Sequence, residues 1–206
     1  MTRTNALSST MGAMRTQHEL GTRERIVRTT SRLMQQQGYE ATGLKQISQE
    51  ARATLGSVYH FFPGGKRELA VEAVRHGDRE FAQFLRAAFE REDDPAAALA
   101  ACTRDLAEGL RESGWLDGCP VTTTALESVG REPEIQQAAE DAYEHWRALV
   151  RDKLTRSGFA DDVAHELAHT VINLLEGAEL SAQVSQSEAP LEIAGRHLAR
   201  LIDSYR

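Results

Sequence analysis

The sequence predicts an all-α protein, on three observations. Alanine occurs 29 times while aromatic side chains make up only 6% of the chain. That mix favours helices, because Ala loses least on entering one and strands favour aromatic and β-branched residues. Apolar residues recur at three- and four-residue spacing through most of the chain after residue 22, the period of an amphipathic helix. The five prolines fall at turns or at the starts of periodic runs, not inside them. With 41% hydrophobic side chains and two cysteines, composition excludes disordered, collagenous and disulfide-scaffold classes. No apolar run approaches the roughly 18 residues of a membrane span, and the first 20 residues lack the apolar core of a signal peptide. The expectation is a soluble cytoplasmic protein without a membrane partner.

Residues 1–21 read as a flexible arm, with Met11 and Met14 as alternative starts. A first helix opens at Thr22, carries Ile26, Thr30, Leu33 and Met34 inward, and ends at Gly38, where a left-handed cap belongs. Thr42 caps a short second helix with Leu44, Ile47 and Ala51 facing the core. Thr54 caps a third with Val58 and Phe61, which Pro63, Gly64 and Gly65 stop. A long fourth helix starts near Lys66 and runs through Leu69, Ala73, Phe81, Phe84, Leu85 and Ala88. Asp94 and Pro95 open the fifth, which carries Leu99, Cys102, Leu106 and Leu110 to Gly114. After the turn DGCP at 117–120, a short helix spans 120–128. Pro133 starts the seventh, with Ile135, Ala139, Tyr143, Trp146 and Val150. Asp161 caps the eighth, striped by Val163, Leu167, Val171, Leu174 and Ala178. Pro190 opens the last, with Leu191, Ile193, Leu198, Leu201 and Ile202.

Charge divides the chain. Residues 1–70 hold ten Lys plus Arg against five Asp plus Glu, and residues 71–206 hold fourteen against twenty-six. A basic module on an acidic body suggests a polyanion at one end. Two short helices joined by about four residues, the second capped by Thr54 and bearing the small Gly56 and Ser57, have the shape of a helix-turn-helix. Small residues let the backbone approach the major groove, and Tyr59, His60 and Lys66 stand where they reach phosphates. The shape alone also fits an ordinary capped turn in a helical core.

The run TGLKQISQEARATLGSVYHFFPGGKREL at 42–69, preceded by GYEAT at 38–42, resembles the DNA-binding domain of TetR family transcriptional regulators. Where that family often has glycine in the turn, this chain has Arg52, which adds a positive charge near the DNA. The stretches FPGGK at 62–66 and GCPVTTTALE at 119–128 resemble the LmrA-like branch. The resemblance implies a homodimeric repressor that leaves its operator when a small hydrophobic or aromatic effector binds, with an activator of the same fold as the alternative. Residues 22–68, with the motif at about 44–63, would bind double-stranded operator DNA through Thr42, Lys45, Arg52, Thr54, Leu55, Gly56, Ser57, Tyr59, His60 and Lys66. Residues 69–206 would bind the ligand and dimerise through the last two helices, where Gly177 and Gly195 permit close approach. A pocket there would be walled by Phe81, Phe84, Trp115, Tyr143 and Trp146 and anchored by Thr122, Thr123 and Asn173.

Two other motifs compete. His165, Glu166 and His169 spell HELAH, in which two imidazoles one turn apart hold zinc and a carboxylate deprotonates bound water, as in a zinc-dependent hydrolase. No GxxH continues that run, and Glu176, Glu179 and Glu188 stand without the context of a third ligand. The histidines therefore read as a helix flank, and no catalytic residue, metal ligand or cofactor is expected. Cys102 and Cys119 read as small core side chains, with a redox pair as the alternative.

Overall fold

The structure, a computed structural model, describes residues 20–206, so the arm expected at 1–21 lies almost wholly outside the described residues. Among these residues the chain forms nine α-helices and no strand: α1 (Thr22–Ala41), α2 (Leu44–Glu50), α3 (Leu55–Phe61), α4 (Gly65–Arg91), α5 (Pro95–Glu112), α6 (Pro120–Ser128), α7 (Pro133–Arg156), α8 (Asp161–Ser185) and α9 (Ala189–Ser204). The most extensive helix pairs are α5 with α9, α4 with α7, α1 with α6, and α7 with α8. No helix among the described residues is long and apolar enough to cross a membrane.

Local chemistry places most boundaries. Thr54 Oγ1 accepts from the Ser57 amide at 3.0 Å and caps α3, and Asp94 Oδ2 accepts from the Ala97 amide at 2.9 Å ahead of Pro95. Three expectations need correction. Gly38 does not end α1: it kinks the helix at φ 81°, ψ 173°, and one further turn follows to Ala41. That backbone suits only glycine, and a Cβ there would also overlap the Glu127 carboxylate. Thr42 does not cap α2, whose N-cap is Gly43; its hydroxyl turns back and donates to the Gly38 carbonyl at 2.6 Å. Asp161 is the first residue of α8, not its cap, and its carboxylate holds the Arg151 guanidinium through two hydrogen bonds.

Two cores result. A small one gathers Ile26, Val27, Leu33, Ile47, Ala51, Val58, Phe62 and Leu69 beneath α1 to α3 and the start of α4. The larger one runs through α4 to α9 and takes Met34 and Tyr39 from α1. The buried ridge of α8 is Ala164, Leu167, Ala168, Val171, Ile172, Leu175 and Ala178, with the expected Val163 and Leu174 only half-buried. Gly195 serves packing within the chain: a Cβ there would collide with the Thr103 side chain of α5. Gly177 has open space around it. Lys153 of α7 is buried, and its ammonium donates to the Phe89 and Glu92 carbonyls at 3.0 and 2.6 Å. Both acceptors lie at the end of α4, where helix carbonyls lack intrahelical partners.

Candidate nucleic-acid interface and ligand cleft

Buried Val58 and Phe62 fix α3 to the small core, which leaves the opposite face outward. Thr54, Leu55, Gly56, Tyr59 and His60 are exposed, Leu55 by 44% and Tyr59 by 51%. Ser57 is half-buried, its hydroxyl 2.9 Å from that of Thr54. Lys45 on α2 and Arg52 in the turn are exposed beside this face. Arg52 adopts φ 50°, the left-handed region where glycine is the usual occupant. The turn keeps that conformation because Arg25 of α1 donates to the Ala51 and Arg52 carbonyls at 3.2 and 3.4 Å.

Two predicted contact residues are engaged elsewhere. Thr42 is fully buried, so its side chain offers DNA nothing. Lys66 donates to the Glu40 carbonyl at 3.1 Å, and its ammonium lies 4.4 Å from the centre of the Tyr39 ring. It ties α4 to the end of α1. Of the arginines on α1, Arg23 pairs with Glu72, Arg28 with Glu24 and Arg32 with Glu50. The net positive charge of the module therefore overstates the number of cations left for phosphates.

The end of α1 is clasped to α6 and its flanking turns. The Glu127 carboxylate accepts from the Glu40 amide at 2.8 Å, Arg131 pairs with Glu40 at 2.9 Å, and Gln36 donates to Asp117 at 2.7 Å. Next to this clasp an open cleft of about 640 Å³ lies between α1, α4, α5 and the turn before α6. Phe81 and Phe84 stack at 5.7 Å between ring centres along its wall, and the buried Trp146 meets Phe81 edge to face at 4.7 Å. Arg28, Thr29, Ser31, Arg32 and Gln35 of α1 also line it. A second depression, of about 990 Å³, lies at the far end of α4 among Arg86, Asp93, Lys153 and Arg206, with Phe89 as its one aromatic lining residue.

Of the eight predicted ligand residues, Phe81, Phe84 and Trp146 line the cleft and the other five do not. Trp115 packs on the small cluster of α5, α8 and α9. Thr123 donates to the Cys119 carbonyl, and Asn173 is exposed on α8. Thr122 and Tyr143 are half-buried and hydrogen-bonded to each other at 2.6 Å, and the Thr122 hydroxyl donates to Glu176 at 2.5 Å. Burial raises the Glu176 carboxyl, and the hydroxyls oppose that shift. Sequence reasoning missed Glu179, which lines the cleft while only 8% exposed. Its place one turn beyond Leu175 on the buried ridge was the available signal. Burial pushes the Cys102 thiol up to about 12 and the Cys119 thiol well above its usual value, with Glu176 and Glu179 adding to the latter. The reactive thiolate form is thus suppressed at both. His165 and His169 stack at 4.8 Å on α8, and among the described residues no three His, Cys, Asp or Glu side chains are grouped to hold a metal ion.

A helical protein with a capped recognition helix exposed on a separate small core belongs to the class of helix-turn-helix regulators. Residues 26–73 match the model of bacterial regulatory proteins of the tetR family, and residues 95–197 match that of the transcriptional regulator LmrA/YxaF-like C-terminal domain. The HTH-type transcriptional regulator YxaF of Bacillus subtilis is 32% identical over 87% of this chain and 94% of its own length. The HTH-type transcriptional regulator LmrA of the same organism is 35% identical over 82% and 90%. The crystal structure of regulatory protein TetR from Rhodobacter sphaeroides superposes with a TM-score of 0.76 at 26% identity, over 87% of this chain and 97% of that one. The chain belongs to the TetR family of transcriptional regulators, with a C-terminal domain of the LmrA/YxaF-like type. These relatives are regulators and not enzymes, so the hydrolase reading of HELAH is set aside.

Proposed function

We propose that the chain is a ligand-responsive repressor in which residues 22–68 bind operator DNA and residues 69–206 sense an effector and dimerise. The observation that carries the coupling is the lining of the cleft. Part of it belongs to α1, which also forms the small core under the recognition helix, and part to α4 and α5. A molecule that fills the cleft touches both bodies at once, and a difference of a few kcal/mol between its affinities for two arrangements releases DNA. Repression is supported by relatives such as NemR of Escherichia coli, an HTH-type transcriptional repressor 23% identical to this chain. Dimerisation through α8 and α9 is supported by the apolar side chains that face outward there: Leu180, Ile193 and Val184, the last 78% exposed. A dimer would set two recognition helices about 34 Å or somewhat more apart on a near-palindromic operator.

Leu55→Ala tests the DNA-reading face. It should lower affinity for the operator about tenfold, about 1.4 kcal/mol, and leave affinity for random DNA unchanged, because an apolar side chain reads thymine methyls and not phosphates. Equal losses on both DNAs, measured by fluorescence anisotropy, would count against α3 as the reading helix. Deleting the gene should raise transcription from the regulated promoter, and a fall would mark an activator.

A further inference from the structure

Glu179 is a largely buried carboxyl without a hydrogen-bond partner among the described residues. It lines the cleft together with Gly118 and Cys119, and it is only 8% exposed. The other charges around the cleft are committed or exposed. Arg28 is paired with Glu24 at 2.8 Å, Arg32 with Glu50 at 2.5 Å, and Asp105 with Arg91 at 2.5 Å. Asp117 accepts from Gln36. Glu80 is exposed at the rim, 3.7 Å from His76, whose imidazole is kept neutral by burial. On its own helix Glu179 has Glu176 one turn away, already bonded to Thr122 and Tyr143. A lone buried carboxyl costs free energy that a glutamine or a leucine would avoid.

We propose that the cleft takes a cationic aromatic effector, its ammonium or amidinium group paired with Glu179 and its ring system lying against Phe81 and Phe84. This rests on the reading of the cleft as the effector site and adds the chemical class of what enters it. Aromatic faces attract cations as well as rings, so wall and anchor select the same ligand. An anionic ring compound would find no free cation beside Glu179 to offset its charge. Burial and the neighbouring Glu176 push the Glu179 carboxyl up to about 8, so at neutral pH it holds its proton until a cation arrives. The carboxyl O–H then gives its proton to the solvent while the ligand keeps its own charge. Affinity for the cation therefore climbs with pH towards about 8.

The test is calorimetric titration of the full chain with three matched compounds: 1-naphthylmethylammonium, 1-naphthalenemethanol and 1-naphthoate. At neutral pH the ammonium compound should bind about tenfold more tightly than the alcohol, and the carboxylate most weakly. Binding of the cation should release about one proton, read from the dependence of the heat on the buffer's ionisation enthalpy. Glu179→Gln should bring the cation down to the affinity of the alcohol, leave the alcohol unchanged and abolish proton release. An alcohol that binds as tightly as the cation, or a preference that survives in Glu179→Gln, would overturn the cationic class and leave the cleft as effector site. Gly109→Phe locates the binding, because Gly109 lines the cleft with open space where its Cβ would stand. It should weaken all three compounds. Unchanged affinities in that variant, or no binding of any compound to the unaltered chain, would overturn the effector cleft together with its anchor.

Discussion

The small core beneath α1 to α3 and the large core of α4 to α9 differ in the kind of group they tolerate. The first encloses eight apolar side chains, and the buried polar residues around it, Thr29, Thr30, Ser31, Thr42 and Ser48, are all uncharged. The second surrounds Trp146 and a long apolar ridge, yet the titratable buried residues His76, Lys153 and Glu179 all belong to its helices. A platform that presents one helix to DNA needs only shape, and apolar packing supplies shape at least cost. Buried polar groups in a low-dielectric interior respond strongly to any charge brought near them. Uncharged and titratable buried side chains are thus assigned to different parts of one chain.

The largest expected effect breaks the platform. Phe62→Ala should lower stability by about 3–5 kcal/mol in urea denaturation, and operator binding should go with it. Both tryptophans lie in the larger body, so their emission reports whether that body falls together with the far-UV dichroism. Coincident loss is expected, because α1 contributes Leu33 to one core and Met34 and Tyr39 to the other. A body that stays folded after the dichroism has dropped would show that the two cores are separable.

An effect of opposite sign belongs to the body. The folded-state pKa of Glu179 is raised from an ordinary value of 4.5 to about 8. Its contribution to stability is therefore fully present below about 4.5 and declines as pH rises towards 8. Glu179→Gln removes that decline. The variant should be more stable than the parent by up to about 4 kcal/mol near pH 8 and by about 1 kcal/mol near pH 5. Thermal denaturation at the two pH values measures this, and a pH-independent difference would contradict it.

The smallest effect returns to the platform. Arg52→Gly should stabilise by about 1 kcal/mol, because glycine adopts the left-handed turn without a Cβ clash. It should also reduce the dependence of operator affinity on salt by about one counterion if the side chain meets a phosphate. A lower melting temperature would mean that the Arg25 brace, not residue 52, sets the turn.

The two regions were also unequally legible. Thr54, Asp94 with Pro95, and Pro120 act within a few residues of themselves, so the order and number of the helices followed from local rules. Thr42 and Asp161 mark where local rules fail: each is a good cap by type, yet a closer partner, the Gly38 carbonyl for one and Arg151 for the other, takes the side chain. The outward face of α3 was readable only in part: the sequence singled out Val58 and Phe61, whereas the structure buries Val58 and Phe62 and leaves Phe61 half-buried. The cleft was not, because its lining comes from helices far apart in sequence. Side-chain type suggested Trp115, Tyr143 and Asn173, and only the packing of α5, α7 and α8 decides which way each points.

The lashing of Lys153 to the last carbonyls of α4 has a mechanical consequence. It holds one end of a helix of 27 residues, which at 1.5 Å per residue is a rod about 40 Å long. The other end, at Gly65, joins the recognition helix through the short turn at 62–64. With the far end held, a tilt of α4 by about 5° would carry Gly65 through about 3.5 Å. Phe81 and Phe84 lie nearer the held end, where the same tilt moves them by little more than 1 Å. A tilt of α4 that moved Phe81 and Phe84 by the length of a bond would thereby move the junction with the recognition helix severalfold further.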